Sequence, residues 1–168
     1  MDGTLAMIFL AASLSDMTLS YCKDGCVRQQ DAAAHLNFSL ARVQYQEEFT
    51  SNEIYVSYEL GTKYGPFQPT IAASATDRGS IWIGVGATWE RSIGDFFVTS
   101  TLMPGLYSAG SGHNLGSVLE FRSILGAGYE FKNGGRIAVT YDHRSNGDIV
   151  NWNPGLETVA VRYSIAFR

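Results

Sequence analysis

No run of about eighteen consecutive apolar residues stands out in the chain, which on length excludes a transmembrane helix and leaves a β-barrel untouched by the test. Basic residues are also few: 12 Lys and Arg face 16 Asp and Glu, for a net charge of −4. Nucleic-acid affinity rests on clustered Lys and Arg, so no nucleic-acid partner is expected. There are only two cysteines, Cys22 and Cys26, and the chain carries no further Cys to complete a zinc site around them. A small local disulfide in an oxidising compartment and two free thiols both remain open, and no metal or other cofactor is expected. The sequence has no low-complexity tract, no linker and no internal repeat beyond short alternating runs. Its 168 residues read as one domain by length.

What is abundant points the other way. Eighteen Gly, nine Tyr and nine Phe beside four Pro resemble an all-β composition, in which aromatics fill pleated surfaces and Gly serves turns and close packing. Residues 1–35 stand apart as an N-terminal segment. Within them "LAMIFLAASLS" (5–15) has the length of the apolar part of an export signal, but no Lys or Arg precedes it. A start further upstream, a degraded signal and a short N-terminal helix are the readings it allows.

From residue 36 to residue 168 the chain reads as a single barrel domain. Apolar and polar residues alternate in eight runs separated by turn residues: 36–45, 53–62, 66–76, 80–90, 95–104, 116–131, 134–145 and 156–167. Side chains alternate across a strand, so parity assigns faces. Ile81, Ile83, Val85, Ala87 and Trp89 share one face, with Trp82 out of place on the other. Ile137, Val139 and Tyr141 share a face, as do Val159, Val161, Tyr163, Ile165 and Phe167. The opposite face carries Arg122, Glu130, Arg136, Asp142, Arg144 and Arg162, which suit the filled polar lumen of a small barrel. The expected fold is therefore an all-β, eight-stranded antiparallel transmembrane barrel of the outer membrane. A soluble lipocalin-like barrel, with the apolar face turned inward, is the alternative. Short connections at "TKYGP", "RSIGD" and "KNGG" suit the periplasmic end, and long ones at 104–117 and 146–155 the outside, with "DRG" a tight exception. The closing strand ends on Phe167 with Arg168 after it, where a terminal aromatic is customary.

Parity also places a polar group. His143, Ser145 and Glu157 continue the apolar face, and a hairpin centred near residue 150 pairs Ile137 with Tyr163, Val139 with Val161, Tyr141 with Val159 and His143 with Glu157. Directly opposed residues lie about 5 Å apart, so Ser145, His143 and Glu157 are ordered as nucleophile, base and orienting acid. Three polar groups facing lipid are costly and point to chemistry; a hairpin end resting in the headgroup zone is the structural alternative. His113, in a Gly-rich loop, reads as solvated, and His35 has no visible partner. Trp82, Trp89 and Trp152 read as interfacial aromatics, Trp152 also as a lining for an acyl-chain groove.

"HRSNGDIVNWNPGLE" (143–157) resembles the signature of the PagL family of outer-membrane lipid A 3-O-deacylases: His-x-Ser-Asn, then Asn-Pro-Gly, then Glu, matched at His143, Ser145, Asn146, Asn153, Pro154, Gly155 and Glu157. "PFQP" (66–69) and "GSVLEFRSILGAGYEF" (116–131) extend the resemblance over roughly residue 36 to the end. It implies a serine esterase in the outer membrane of a Gram-negative cell that removes the ester-linked 3-hydroxyacyl chain at position 3 of lipid A. Its partners are then lipopolysaccharide as substrate and outer-membrane lipids, with a homodimer left open. Ser145 becomes the nucleophile, His143 the base and Glu157 the orienting acid. Asn146 and a backbone N–H at Gly147 are oxyanion candidates, although Asp148 stands where the family often has a small residue, and Asn153 orders the loop. A non-enzymatic barrel with a structural or ligand-binding role is the competing reading.

Overall fold

A computed structural model describes residues 3–167. Arg168, the departure at the C-terminus, lies outside the described residues. Eight antiparallel strands close into a barrel: β1 (Ala34–Tyr45), β2 (Glu48–Glu59), β3 (Gln68–Thr76), β4 (Ile81–Ile93), β5 (Phe96–Ser108), β6 (Leu119–Glu130), β7 (Gly135–Ser145) and β8 (Leu156–Phe167), with β8 pairing back onto β1. The β7–β8 register is the one parity demands, with His143 opposite Glu157, Tyr141 opposite Val159, Val139 opposite Val161 and Ile137 opposite Tyr163.

The faces are those of a membrane barrel. Outward Leu40 and Val139 are 72% and 61% exposed, whereas inward Glu53 and Arg122 are 2% and 1% exposed. A soluble lipocalin-like barrel needs the reverse, so that alternative is overturned. Closure satisfies the backbone without leaving an edge in lipid.

The lumen is filled rather than open. Arg122 Nη2 meets Glu53 Oε1 and Asp142 Oδ2 at 2.6 Å each, and Arg144 Nη2 meets Glu53 Oε2 at 2.8 Å. The guanidinium of Arg122 also lies over the rings of Tyr55 and Trp82. Arg162 donates to Ser39 and lies over Tyr55. Trp82 is thus a lumen residue and not an interfacial one, because the inward guanidinium groups of Arg122 and Arg144 give electrostatic use to an indole face. Gly105 and Gly84, both beside that indole, leave it space: a Cβ on either would come within about 2.6 Å of its ring atoms. Trp89 is half-buried and donates its Nε1–H to Asp16 at 3.0 Å.

The barrel ends differ. Three connections mark one end: 60–67, 94–95 and 131–134. The first is longer than the expected tight turn, because Thr62–Tyr64 pairs with Gln29–Asp31 in a separate two-stranded ribbon. At the other end lie the long loops 109–118 and 146–155, with tight turns at Gln46–Glu47 and 77–80. Asp77, in the latter turn, is held below the usual carboxylate range by hydrogen bonds from the side chain and backbone of Asn52.

The N-terminal segment contains a helix, α1 (Thr4–Asp16), continued by a π turn (Met17–Tyr21) and a 3-10 turn (Cys22–Asp24). By length and composition Thr4–Asp24 is apolar enough to cross a membrane, which corrects the exclusion made from the sequence: the interspersed Ser and Thr break the apolar run without lowering its mean hydropathy enough. It packs against β4, β5 and β6, with Phe9 near Phe67 at 6.1 Å between ring centroids. Cys22 and Cys26 form a disulfide.

Candidate active site

The last turn of β7 and the first of β8 bring His143 and Glu157 face to face on the outer wall at the long-loop end. His143 Nδ1 lies 3.1 Å from Glu157 Oε1. A carboxylate at Nδ1 fixes the ring proton there and leaves the lone pair on Nε2. That Nε2 is buried and has no hydrogen-bond partner among the described residues. A buried acceptor without a partner is unfavourable by about 1–3 kcal/mol.

Ser145 sits two residues further on the same face, so the two Cα atoms are about 6.6 Å apart along the strand. Its hydroxyl makes no hydrogen bond to the ring in this conformation, and both side chains are nearly covered, at 9% exposure for Ser145 and 5% for His143. Across β6, Phe121 pairs with Ser145 and Ser123 with His143. The three residues expected from the sequence therefore lie on one outward face, with the His143–Glu157 contact made and no Ser145–His143 hydrogen bond formed.

The loop that joins the strands is built by asparagines. Asn146 donates from Nδ2 to the carbonyls of Leu115 (2.9 Å) and Trp152 (2.8 Å), and its backbone N–H donates to Asn153 Oδ1 (3.1 Å). Both amide donors of Asn146 are thus spent on tying loop 146–155 to loop 109–118, and the side chain is fully buried on the inward parity, away from Ser145. This geometry does not suit the oxyanion role expected for its side chain, whose amide donors are both engaged by loop carbonyls. Asn153 also donates to Asp148 Oδ1 at 2.8 Å, where Asp148 has a φ of 60°. Gly147, at φ 64°, packs on Phe121 beside Ser145, and its N–H is given to no partner among the described residues. Trp152 is exposed and reaches the Asn114 carbonyl with Nε1 at 3.4 Å. Asn146→Asp, which turns the donating edge toward two carbonyls into an acceptor, is expected to free both loops. Two hydrogen bonds at about 1 kcal/mol each, plus the new repulsion, predict at least ~tenfold faster cleavage within 109–118 and 146–155 by thermolysin. An unchanged cleavage rate would show that the tie carries no weight.

The two remaining histidines are better partnered than the sequence suggests. His35 Nδ1 lies 3.2 Å from Glu59 Oε2 and its Nε2 3.3 Å from Arg136 Nη1, because the inward parity of β1 aims it into the lumen. His113 is not simply solvated: its ring stacks on Tyr45 at 3.9 Å. Burial, with Arg78 nearby, holds its imidazole below the ordinary range, so it is neutral at pH 7. Neither touches the His143 patch. The described residues include no cluster of three or more His, Cys, Asp or Glu able to hold a metal.

Residues 39–166 match the family described as Lipid A 3-O-deacylase (PagL). Among solved structures the chain is similar to the outer membrane enzyme PagL, with 17% identity, a TM-score of 0.61, and 79% of this chain and 99% of that one covered. It is similar also to a de novo designed transmembrane β-barrel (9% identity, TM-score 0.60, 82% and 98% covered). A third likeness is to Neisserial surface protein A (8% identity, TM-score 0.56, 83% and 99% covered). At these identities the structures speak for the eight-stranded barrel fold. No curated protein matches the chain.

Proposed function

The chain belongs to the lipid A 3-O-deacylase (PagL) family, and from that premise we propose that it hydrolyses its lipid A ester in the outer membrane through Ser145, His143 and Glu157. Family membership makes the chain an ester hydrolase and sets aside the non-enzymatic barrel. The observation that carries the residue assignment is the Glu157–His143 contact at 3.1 Å, with His143 Nε2 buried and unpartnered and Ser145 two residues along the same strand. The homodimer left open by the sequence gains no support. Residues 1–35 remain, in this proposal, a segment distinct from the barrel domain 36–168, apart from Ala34 and His35, with which β1 begins.

The chemistry follows from the geometry. Ser145 Oγ attacks the ester carbonyl of the 3-hydroxyacyl chain as His143 Nε2 accepts its proton, and Glu157 stabilises the imidazolium that results. The carbonyl oxygen becomes an oxyanion, for which the backbone N–H of Gly147 is the proposed donor. Asn146 and Asn153 act on it by holding the loop. Collapse breaks the bond to the sugar oxygen, which takes the proton from His143 and leaves as an alcohol. Water, deprotonated by His143, then hydrolyses the acyl–Ser145 ester and releases a 3-hydroxy fatty acid. The outward face suits this substrate, because an acyl chain in the membrane approaches the patch without leaving hydrocarbon.

A fluorophosphonate tests the nucleophile directly. In detergent micelles it is expected to inhibit release of 3-hydroxy fatty acid from lipopolysaccharide in step with its incorporation, and peptide mass spectrometry is expected to find it on Ser145. Full inhibition with the label on another residue, or full labelling of Ser145 without inhibition, would sink the assignment.

A further inference from the structure

We propose that Gly155 is a positioning residue for the base: its missing side chain is what lets the His143 imidazole stand between Glu157 and the nucleophile. The inference rests on the triad reading above and goes beyond it, to what fixes the ring. Gly155 is buried two residues before Glu157, at a φ of 71°. A Cβ built on it would lie 2.8 Å from His143 Cε1, 3.6 Å from Nε2 and 3.7 Å from Nδ1. The near-equal distances to the two nitrogens show that the backbone abuts the ring at its Cε1 end, midway between them. Carbon atoms rest about 3.5–4.0 Å apart, so a methyl there must drive the ring back by more than half an ångström. Because Cε1 joins the two nitrogens, that push moves Nδ1 off Glu157 and Nε2 off the path of the Ser145 proton in one displacement.

The bare backbone at Gly155 thus serves as a stop for the imidazole. Glu157 alone fixes one nitrogen and leaves the ring free to swing about that hydrogen bond; a second contact at Cε1 removes the swing. Misplacement of a reacting group by about 1 Å is enough for a roughly 10²-fold loss in rate. A side chain at Gly155 should therefore lower kcat and spare KM, since the contact is with the base and not with the lipid.

Gly155→Ala is expected to lower kcat for lipopolysaccharide deacylation by about 10²-fold with KM within about twofold. Gly94→Ala controls for backbone strain: Gly94 has a φ of 63°, with nothing within 4 Å of its would-be Cβ, and lies at the opposite end of the barrel. It is expected to keep wild-type kcat. The discriminating readout is the double variant Gly155→Ala/Glu157→Gln. If Gly155 acts through the His143–Glu157 pair, the double is no slower than the slower single by more than about threefold. Should Gly155→Ala give no folded barrel by heat-modifiable gel mobility, Gly155→Asn takes its place, since Asn accepts the left-handed backbone and carries the same Cβ. A kcat for the folded variant within threefold of wild type, or losses that multiply in the double, would overturn the proposal. Ser145→Ala in the same assay keeps the two readings apart. An active Ser145→Ala refutes the triad, whereas an inactive Ser145→Ala beside a fully active Gly155→Ala refutes only the role of Gly155.

Discussion

Ser145→Ala protein, folded in detergent micelles, is expected to release 3-hydroxy fatty acid from lipopolysaccharide at least ~10³-fold more slowly than the unmodified chain. The loss is large because the serine oxygen forms and breaks the bond. His143→Ala is expected to fall as far, and Ser145→Ala/His143→Ala no further than either, since the two act in one step. Glu157→Gln keeps an oxygen within reach of Nδ1 but removes the charge that stabilises the imidazolium. A loss of about 10²- to 10⁴-fold is expected there. The mass of lipid A before and after incubation reads all four proteins, and heat-modifiable gel mobility shows that the barrel is folded. More than a tenth of wild-type activity in Ser145→Ala would remove the nucleophile from the proposal.

The second large effect concerns stability. Glu53→Leu strands one buried guanidinium: Arg122 keeps Asp142, but Arg144 loses the carboxylate 2.8 Å away. Breaking a buried pair by deleting one member destabilises by about 3–5 kcal/mol, because the remaining charge is left without compensation. Urea unfolding in micelles, followed by tryptophan fluorescence, should show a midpoint well below that of the unmodified barrel. Glu53→Leu/Arg144→Leu should recover part of the loss, since the unpaired guanidinium is then replaced by apolar volume. A midpoint unchanged in Glu53→Leu would mean that the lumen is wet enough to solvate Arg144 without its partner.

How much of this was legible beforehand follows from the range of the forces involved. The β7–β8 register was readable because a one-residue slip would turn Val139, Val161 and Tyr163 away from lipid, so parity alone fixes His143 against Glu157. Inward Arg122, Asp142 and Arg162 were readable for the same reason. Trp82 was readable only in part: parity sets it on the polar face, but what holds it there is guanidinium faces contributed by β6 and β7, far away in the chain. Nor was the tie made by Asn146: the carbonyl of Leu115 that it bonds lies 31 residues earlier, and no local pattern announces it. The contact of Gly155 with His143 left one signal, a glycine directly after a proline and two residues before the acid. Its meaning needed the third dimension.

The packed lumen has a consequence for the cell rather than for the catalyst. Leu115 folds in from loop 109–118 to join Trp82 and Met103 above the Arg122–Glu53–Asp142 layer, and all three apolar side chains are completely covered. Side chains packed across the barrel at this level oppose the passage of solutes along its axis. The barrel is therefore expected to add no solute path through the envelope, however many copies the membrane holds.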